Sequence, residues 1–334
     1  MGNNTSVTAC RDFMKFLIPG LVYLSIAVVG SAGGQTPAPL TEGEYLRIDA
    51  SPAKGFNYPY FLYVPPELKD DAAKNAVQTL LVTPNNTGKV DDDFAVHEAD
   101  AKLRISISGP GASLLKVAVL VPAFPRPQSD WRTYTHALDR DSMLTDNREN
   151  RRLDLQLIAM IDDARRRLAK GKLRFDRRVL MNGFSAQGMF VNRFTFLHPD
   201  RVKAAAIGSP GGWPIAPAKK YQDKTLRYPI GVADLKTITG KDLDLKALRR
   251  VPLFIFIGSA DENDSVPFDD SYDEEDRVLI YPLFGKMPVD RWPVSQMLYE
   301  QAGLNATFKI YPGVVHTVSQ EERDDIRSFL LKNK

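Results

Sequence analysis

The stretch Val179-Leu180-Met181-Asn182-Gly183-Phe184-Ser185-Ala186-Gln187-Gly188 decides how this chain is read. Its first residues are aliphatic and fit a buried strand. Its continuation, Met189-Phe190-Val191-Asn192-Arg193-Phe194-Thr195-Phe196-Leu197, fits a helix. A serine at a sharp strand-to-helix turn has its hydroxyl raised above the sheet, and the next backbone N–H is aimed at a reacting oxyanion. Gly183 suits such a turn because two backbone arms approach there too closely for a Cβ. The usual spacing is G-x-S-x-G. Here Gln187 holds the second small position and Gly188 arrives one residue late.

Outward from this turn the chain alternates strand and helix. Apolar runs predict strands over residues 60–64, 79–83, 117–121, 204–207, 253–257 and 307–311, with helices near 94–104, 150–169 and 294–302 and from about 319. The helix over 150–169 is the clearest. Leu153, Leu157, Met160, Ile161, Ala164 and Leu168 recur at helical spacing, Asn150 is an N-cap candidate and Gly171 a stop. Strands alternating with helices imply an α/β fold with a doubly wound, mostly parallel sheet. A single domain is expected over 43–334, behind a linker at 33–42. An insert at about 214–250, rich in Lys, Tyr and Pro, is a lid or pocket wall, or else a plain surface excursion.

Composition narrows the function. The chain has 334 residues, is 43% hydrophobic and 25% charged, and carries a net charge of +3, with basic and acidic residues interspersed. That balance argues against a nucleic-acid partner, which needs a concentrated basic face. Arg165-Arg166-Arg167 reads as the solvated face of a helix.

At the N-terminus, Arg11 and Lys15 precede an apolar run over 16–29 and then the small residues Gly30-Ser31-Ala32-Gly33-Gly34. This is the pattern of an export signal over 1–32, cleaved after Ala32. A secreted or periplasmic location follows. Pro19 and the length of the run argue against a stable membrane span, a retained anchor being the alternative. Met1-Gly2 with Ser6 also fits a myristoylation pattern, a less specific feature. The sole cysteine, Cys10, would leave with the signal, and with it any cysteine nucleophile, disulfide or thiolate metal site. The acidic run over 269–276 lacks the spacing of a calcium loop and reads as a solvated segment. No cofactor or metal is called for.

A serine hydroxyl is a weak nucleophile until a base takes its proton and a carboxylate orients that base. On a turn of this kind the partners follow in the order acid, then histidine. His97 and His136 precede the serine, and His198 ends the elbow's own helix, where capping or packing suits it. His316 follows the last strand, on the loop where the base belongs. The loop after 253–257 offers two acids, Asp261 and Asp264. Asp261 is preferred for its distance from the strand end, with Asp264 the alternative. An oxyanion hole needs two donors. These are expected to be the N–H of Ala186 and, from Pro84-Asn85-Asn86-Thr87-Gly88, the N–H of Asn86.

In these motifs and their order the chain resembles the α/β-hydrolases over nearly all of the region from about residue 43. It is similar to secreted serine esterases of the polyester-hydrolase and dienelactone-hydrolase-like branches. The resemblance implies the α/β-hydrolase fold, a small-molecule or polymeric ester substrate, and an acyl-enzyme on Ser185 with His316 as base. It also implies that Trp213 clamps the substrate, a half-buried core position being the alternative, whereas Asn86 stands where a second clamping aromatic would be. Two competing outcomes are a serine peptidase, which normally carries an extra domain, and a catalytically silent binding module. Only Gln187 favours the latter.

Overall fold

The protein is described here from a computed structural model covering residues 38–41, 43–68 and 76–334. The expected export signal, Cys10 and most of the linker lie outside the described residues. In chain order the main elements are β1 (Leu46–Ile48), β2 (Tyr60–Tyr63), β3 (Leu80–Val82), α1 (Phe94–Leu115), β4 (Ala118–Pro122), α2 (Leu153–Lys170) and β5 (Val179–Phe184). They continue with α3 (Ala186–Leu197), β6 (Val202–Gly208), β7 (Leu253–Gly258), α4 (Glu274–Phe284), α5 (Trp292–Gln301), β8 (Ala306–Tyr311) and α6 (Gln320–Asn333).

The eight strands form one sheet in the order β1-β2-β4-β3-β5-β6-β7-β8. β2 runs antiparallel to β1 and β4, and every neighbouring pair from β4 to β8 is parallel. Side chains alternate across the pleat, so each strand feeds two cores. Leu80, Val82, Met181 and Ile207 point to the side covered by α2 and α3, whereas Leu81, Val119, Val121 and Leu180 point to the side covered by α1 and α6. Both faces are buried, which is why the central strands are apolar without interruption. Helix α3 is almost wholly buried, and its polar Gln187, Asn192, Arg193 and Thr195 each find a hydrogen-bond partner inside.

Local expectations fail where packing overrides propensity. Helix α1 runs on to Leu115, through Gly109-Pro110-Gly111, because Ala101, Ile105, Ala112 and Leu115 cover the sheet. Helix α2 starts at Leu153, and Asn150 does not cap it; its side chain accepts the Tyr58 hydroxyl at 2.6 Å. Gly171 does close α2. The acidic run is not a free loop. Asp273 caps α4, Glu274–Asp276 occupy its first turn, where acids suit the helix dipole, and Arg227 pairs with Asp273, Glu275 and Asp276.

The insert forms a small ribbon, Lys220–Tyr221 against Lys224–Thr225, and two short helices, Leu235–Thr239 and Leu245–Leu248. It buries Ala216, Leu226 and Ile230 against Trp213, Ile280 and Phe284, which makes it a packed wall. Among the described residues no helix is long and apolar enough to cross a membrane.

Candidate active site

Ser185 sits between β5 and α3 at φ 62°, ψ −129°. A positive φ costs a residue with a Cβ about 1–3 kcal/mol, so the surroundings must enforce it. They do so through Ser185 N–H to the Gly208 carbonyl at 3.0 Å and Met189 N–H to the Ser185 carbonyl at 3.0 Å. The two glycines explain the shifted spacing. A Cβ on Gly183 would lie 2.4 Å from the Gln187 carbonyl oxygen, and one on Gly188 would lie 2.5 Å from that of Gly208. The position pressed against β6 is therefore 188, not 187, and Gln187 is free to carry a long side chain. That side chain is buried and its Nε2 donates to the Pro84 carbonyl, at the end of β3.

The structure brings three of the expected residues together. His316 Nε2 is 3.0 Å from Ser185 Oγ, while its Nδ1 is 3.0 and 2.9 Å from the two oxygens of Asp261. The carboxylate can only accept, so Nδ1 carries the proton and Nε2 is left as the acceptor facing the serine hydroxyl. Asp261 is 2% exposed. Burial pushes its carboxyl up, but the hydrogen bonds it accepts, that of His316 first and that of the Asn263 N–H among the others, outweigh this and hold it below the ordinary carboxylate range. The loops that carry these two residues are knitted together by Ala260 N–H to the Val314 carbonyl and Ser259 N–H to the Tyr311 carbonyl, at 3.0 and 2.9 Å.

Asp264 lies elsewhere. Its two oxygens face Arg291, 2.8 Å from Nη1 and 2.7 Å from Nη2, in a two-pronged pair with a guanidinium that is fully buried. Arg291 also donates to the carbonyls of Gly212, Gly285 and Lys286, so this aspartate anchors a core arginine.

The loop after β3 departs from expectation at one atom. The Asn86 N–H donates to Asp100 Oδ2 at 2.7 Å and is spent there, because Asp100 projects from α1 beneath the loop. The Thr87 N–H donates to His136 Nδ1 at 3.2 Å. Among the described residues the Asn85 N–H has no acceptor, although Asn85 is fully buried. Buried N–H groups without partners are rare. The Ala186 N–H opens α3, where no intrahelical acceptor exists.

Trp213 requires a correction. It is 1% exposed, stacked on Phe284 at 3.8 Å between ring centroids, with its indole N–H bound to the Ile230 carbonyl at 2.8 Å. No face of the ring is open to a substrate, because the insert and α4 close over it. His97 and His136 are both buried beside the β3 loop, and His198 pairs with Asp154 at 2.7 Å at the far end of α3. The participation of Gln187, Asn85 and His136 around Pro84 had no signal in the sequence, since no local pattern joins residues so far apart.

A mostly parallel sheet in this strand order, with a serine on the turn after β5, is the α/β-hydrolase fold. No protein-family model matches the chain, and no curated protein matches it in sequence. Solved structures do. Poly(aspartic acid) hydrolase-1 from Sphingomonas sp. KT-1 is 19% identical, with a TM-score of 0.54 over 89% of this chain and 98% of that one. LpqC, a poly(3-hydroxybutyrate) depolymerase from Bordetella parapertussis, is 17% identical, with a TM-score of 0.53 over 87% of this chain and 90% of that one.

Proposed function

We propose that the chain is a serine hydrolase of carboxylic esters, acting through an acyl-enzyme on Ser185. The observation that carries this reading is the unbroken line Ser185–His316–Asp261, with contacts of 3.0 and 2.9 Å. His316 Nε2 takes the hydroxyl proton as Ser185 Oγ attacks the ester carbonyl. Asp261, held ionised, keeps the imidazole in the required tautomer and stabilises the imidazolium that forms. The developing oxyanion is received by the N–H of Ala186 and that of Asn85, the latter replacing Asn86, whose N–H is spent on Asp100. His316 then protonates the departing alcohol. A water deprotonated by the same imidazole attacks the acyl group, and the acid leaves.

The substrate is an ester, small or polymeric; the partly exposed Ser185 and His316 support access from solvent. The two solved structures named above are a poly(aspartic acid) hydrolase and a poly(3-hydroxybutyrate) depolymerase, which agrees with a polymeric substrate without singling one out. Export by the 1–32 segment belongs to the same proposal, and the mature chain would begin at Gly33 on N-terminal sequencing.

The test is direct. Wild-type protein should react stoichiometrically with a serine-directed fluorophosphonate and turn over short p-nitrophenyl esters. Ser185→Ala should lose the label and at least about 10³-fold in kcat. An unlabelled, inert wild type sinks the reading.

A further inference from the structure

The off-pattern Gln187 and the buried His136 converge on one short loop. We infer that Gln187 and His136 are positioning residues: together they set the oxyanion loop, Pro84 to Thr87, against the elbow, and so decide where the second oxyanion donor points. This inference rests on the ester-hydrolase reading above and goes beyond it in assigning work to two residues outside the triad.

Each strut is visible. Gln187 is 5% exposed and its Nε2 donates to the Pro84 carbonyl, tying the first turn of α3 to the end of β3 across 103 residues. His136 is fully buried, accepts the Thr87 N–H on Nδ1 at 3.2 Å and donates from Nε2 to the Phe124 carbonyl at 2.7 Å. Between them, Asn85 spans to Phe124 with both ends of its amide, Nδ2 to the carbonyl at 2.8 Å and Oδ1 from the N–H at 3.0 Å. The loop is thus fixed on both sides of Asn85, whose N–H is the one in the Pro84–Thr87 loop without an acceptor among the described residues.

The chemistry requires these residue types. Nδ1 must accept and Nε2 must donate, so His136 has to be neutral. Burial holds its pKa down at about 3 against the bond to the Phe124 carbonyl, with the charges of Arg126 and Arg104 pushing the same way as burial. At position 187 the elbow needs a side chain that is long and ends in a donor. A glycine there would satisfy the usual motif and leave the Pro84 carbonyl without its partner. An oxyanion donor acts only if it is aimed at the transition state, and displacement by 1 Å costs on the order of 10²-fold in rate.

The test uses the full-length mature protein, with competent enzyme counted by fluorophosphonate titration. Gln187→Met keeps the bulk and removes the donor. It should lower kcat for p-nitrophenyl butyrate by about 10–100-fold, leave KM within about threefold, and weaken a trifluoromethyl ketone inhibitor in parallel with kcat/KM. His136→Ala should do the same, and His136→Asn, whose Oδ1 can accept from Thr87, should recover about tenfold over it. Melting temperatures separate a folding defect from a positioning one. If titrated Gln187→Met and His136→Ala keep wild-type kcat and inhibitor affinity, with only the melting temperature lowered, the role is structural and the inference falls. Should Gln187→Met not fold, the His136→Asn and His136→Ala comparison decides alone. A wild type that neither labels nor turns over removes the ester-hydrolase reading itself, an outcome distinct from active wild type with indifferent variants.

Discussion

Two aspartates three residues apart on one loop face opposite ways, and the difference is measurable. Asp261 meets His316 and is held ionised, so Asp261→Asn should fold normally and lose about 10⁴-fold in kcat, since the wrong imidazole tautomer then faces Ser185. Asp264→Asn should do the reverse. It leaves the fully buried Arg291 short of its counter-charge, at a cost of about 3–5 kcal/mol of stability in urea denaturation, with kcat per titrated site near wild type. If the larger kcat loss belongs to Asp264→Asn, the assignment of the acid is wrong. On the sequence alone these residues were separable only by their distance from the strand end. Side-chain direction in a loop depends on what the loop packs on, here an arginine from the segment before α5.

At the scale of elements, the short helix Arg140–Leu144 carries a cost in its cap. Asp139 accepts the N–H groups of Ser142 and Asp141, yet it is buried, and burial pushes its carboxyl up to about 7 despite those bonds and the nearby Arg193. A carboxyl raised above its unfolded value favours the protonated fold. Its contribution is fully present below about pH 4 and is lost as pH rises through 7. Asp139→Asn keeps an acceptor at the cap and cannot ionise. Its stability should exceed that of wild type by about 1–3 kcal/mol at pH 8, with the gap closing at pH 4. A gap that is constant across this range would rule out the ionisation as its cause. The elements themselves were largely legible: the strands that became β2 to β8 and helix α2 follow from apolar periodicity. The start of α2 and the continuation of α1 were not, because the hydroxyl of the half-buried Tyr58 and a sheet surface outweigh cap and propensity signals.

Across the whole molecule, the insert over 214–250 and α4 form a second apolar body beside α3, with Trp213 at its centre. Trp213→Ala should therefore cost about 3–5 kcal/mol in denaturant unfolding. Trp213→Phe, which preserves stacking on Phe284, should cost less and leave KM for esters of any chain length unchanged. A KM that rises with acyl length in the Phe variant would return this residue to the substrate site. The expectation of a clamp was reasonable from position in the chain, since the residue does follow β6. Only the closing of the insert and of α4 over the ring removes it from solvent.

The sequence by itself determined the alternation of strand and helix, the strained turn at Ser185, and the order in which Ser185, the Asp261 loop and the His316 loop occur. These are properties of short windows: periodicity, and glycine where backbones crowd. The tertiary structure alone decided that Asp261 rather than Asp264 faces His316, that the Asn86 N–H is consumed by Asp100, and that Gln187 reaches Pro84. Those contacts join residues 55, 14 and 103 positions apart, and even the shortest of them depends on how α1 lies beneath the β3 loop. A local pattern records which groups are available. Which of them meet is set by the packing of helices on both faces of the sheet.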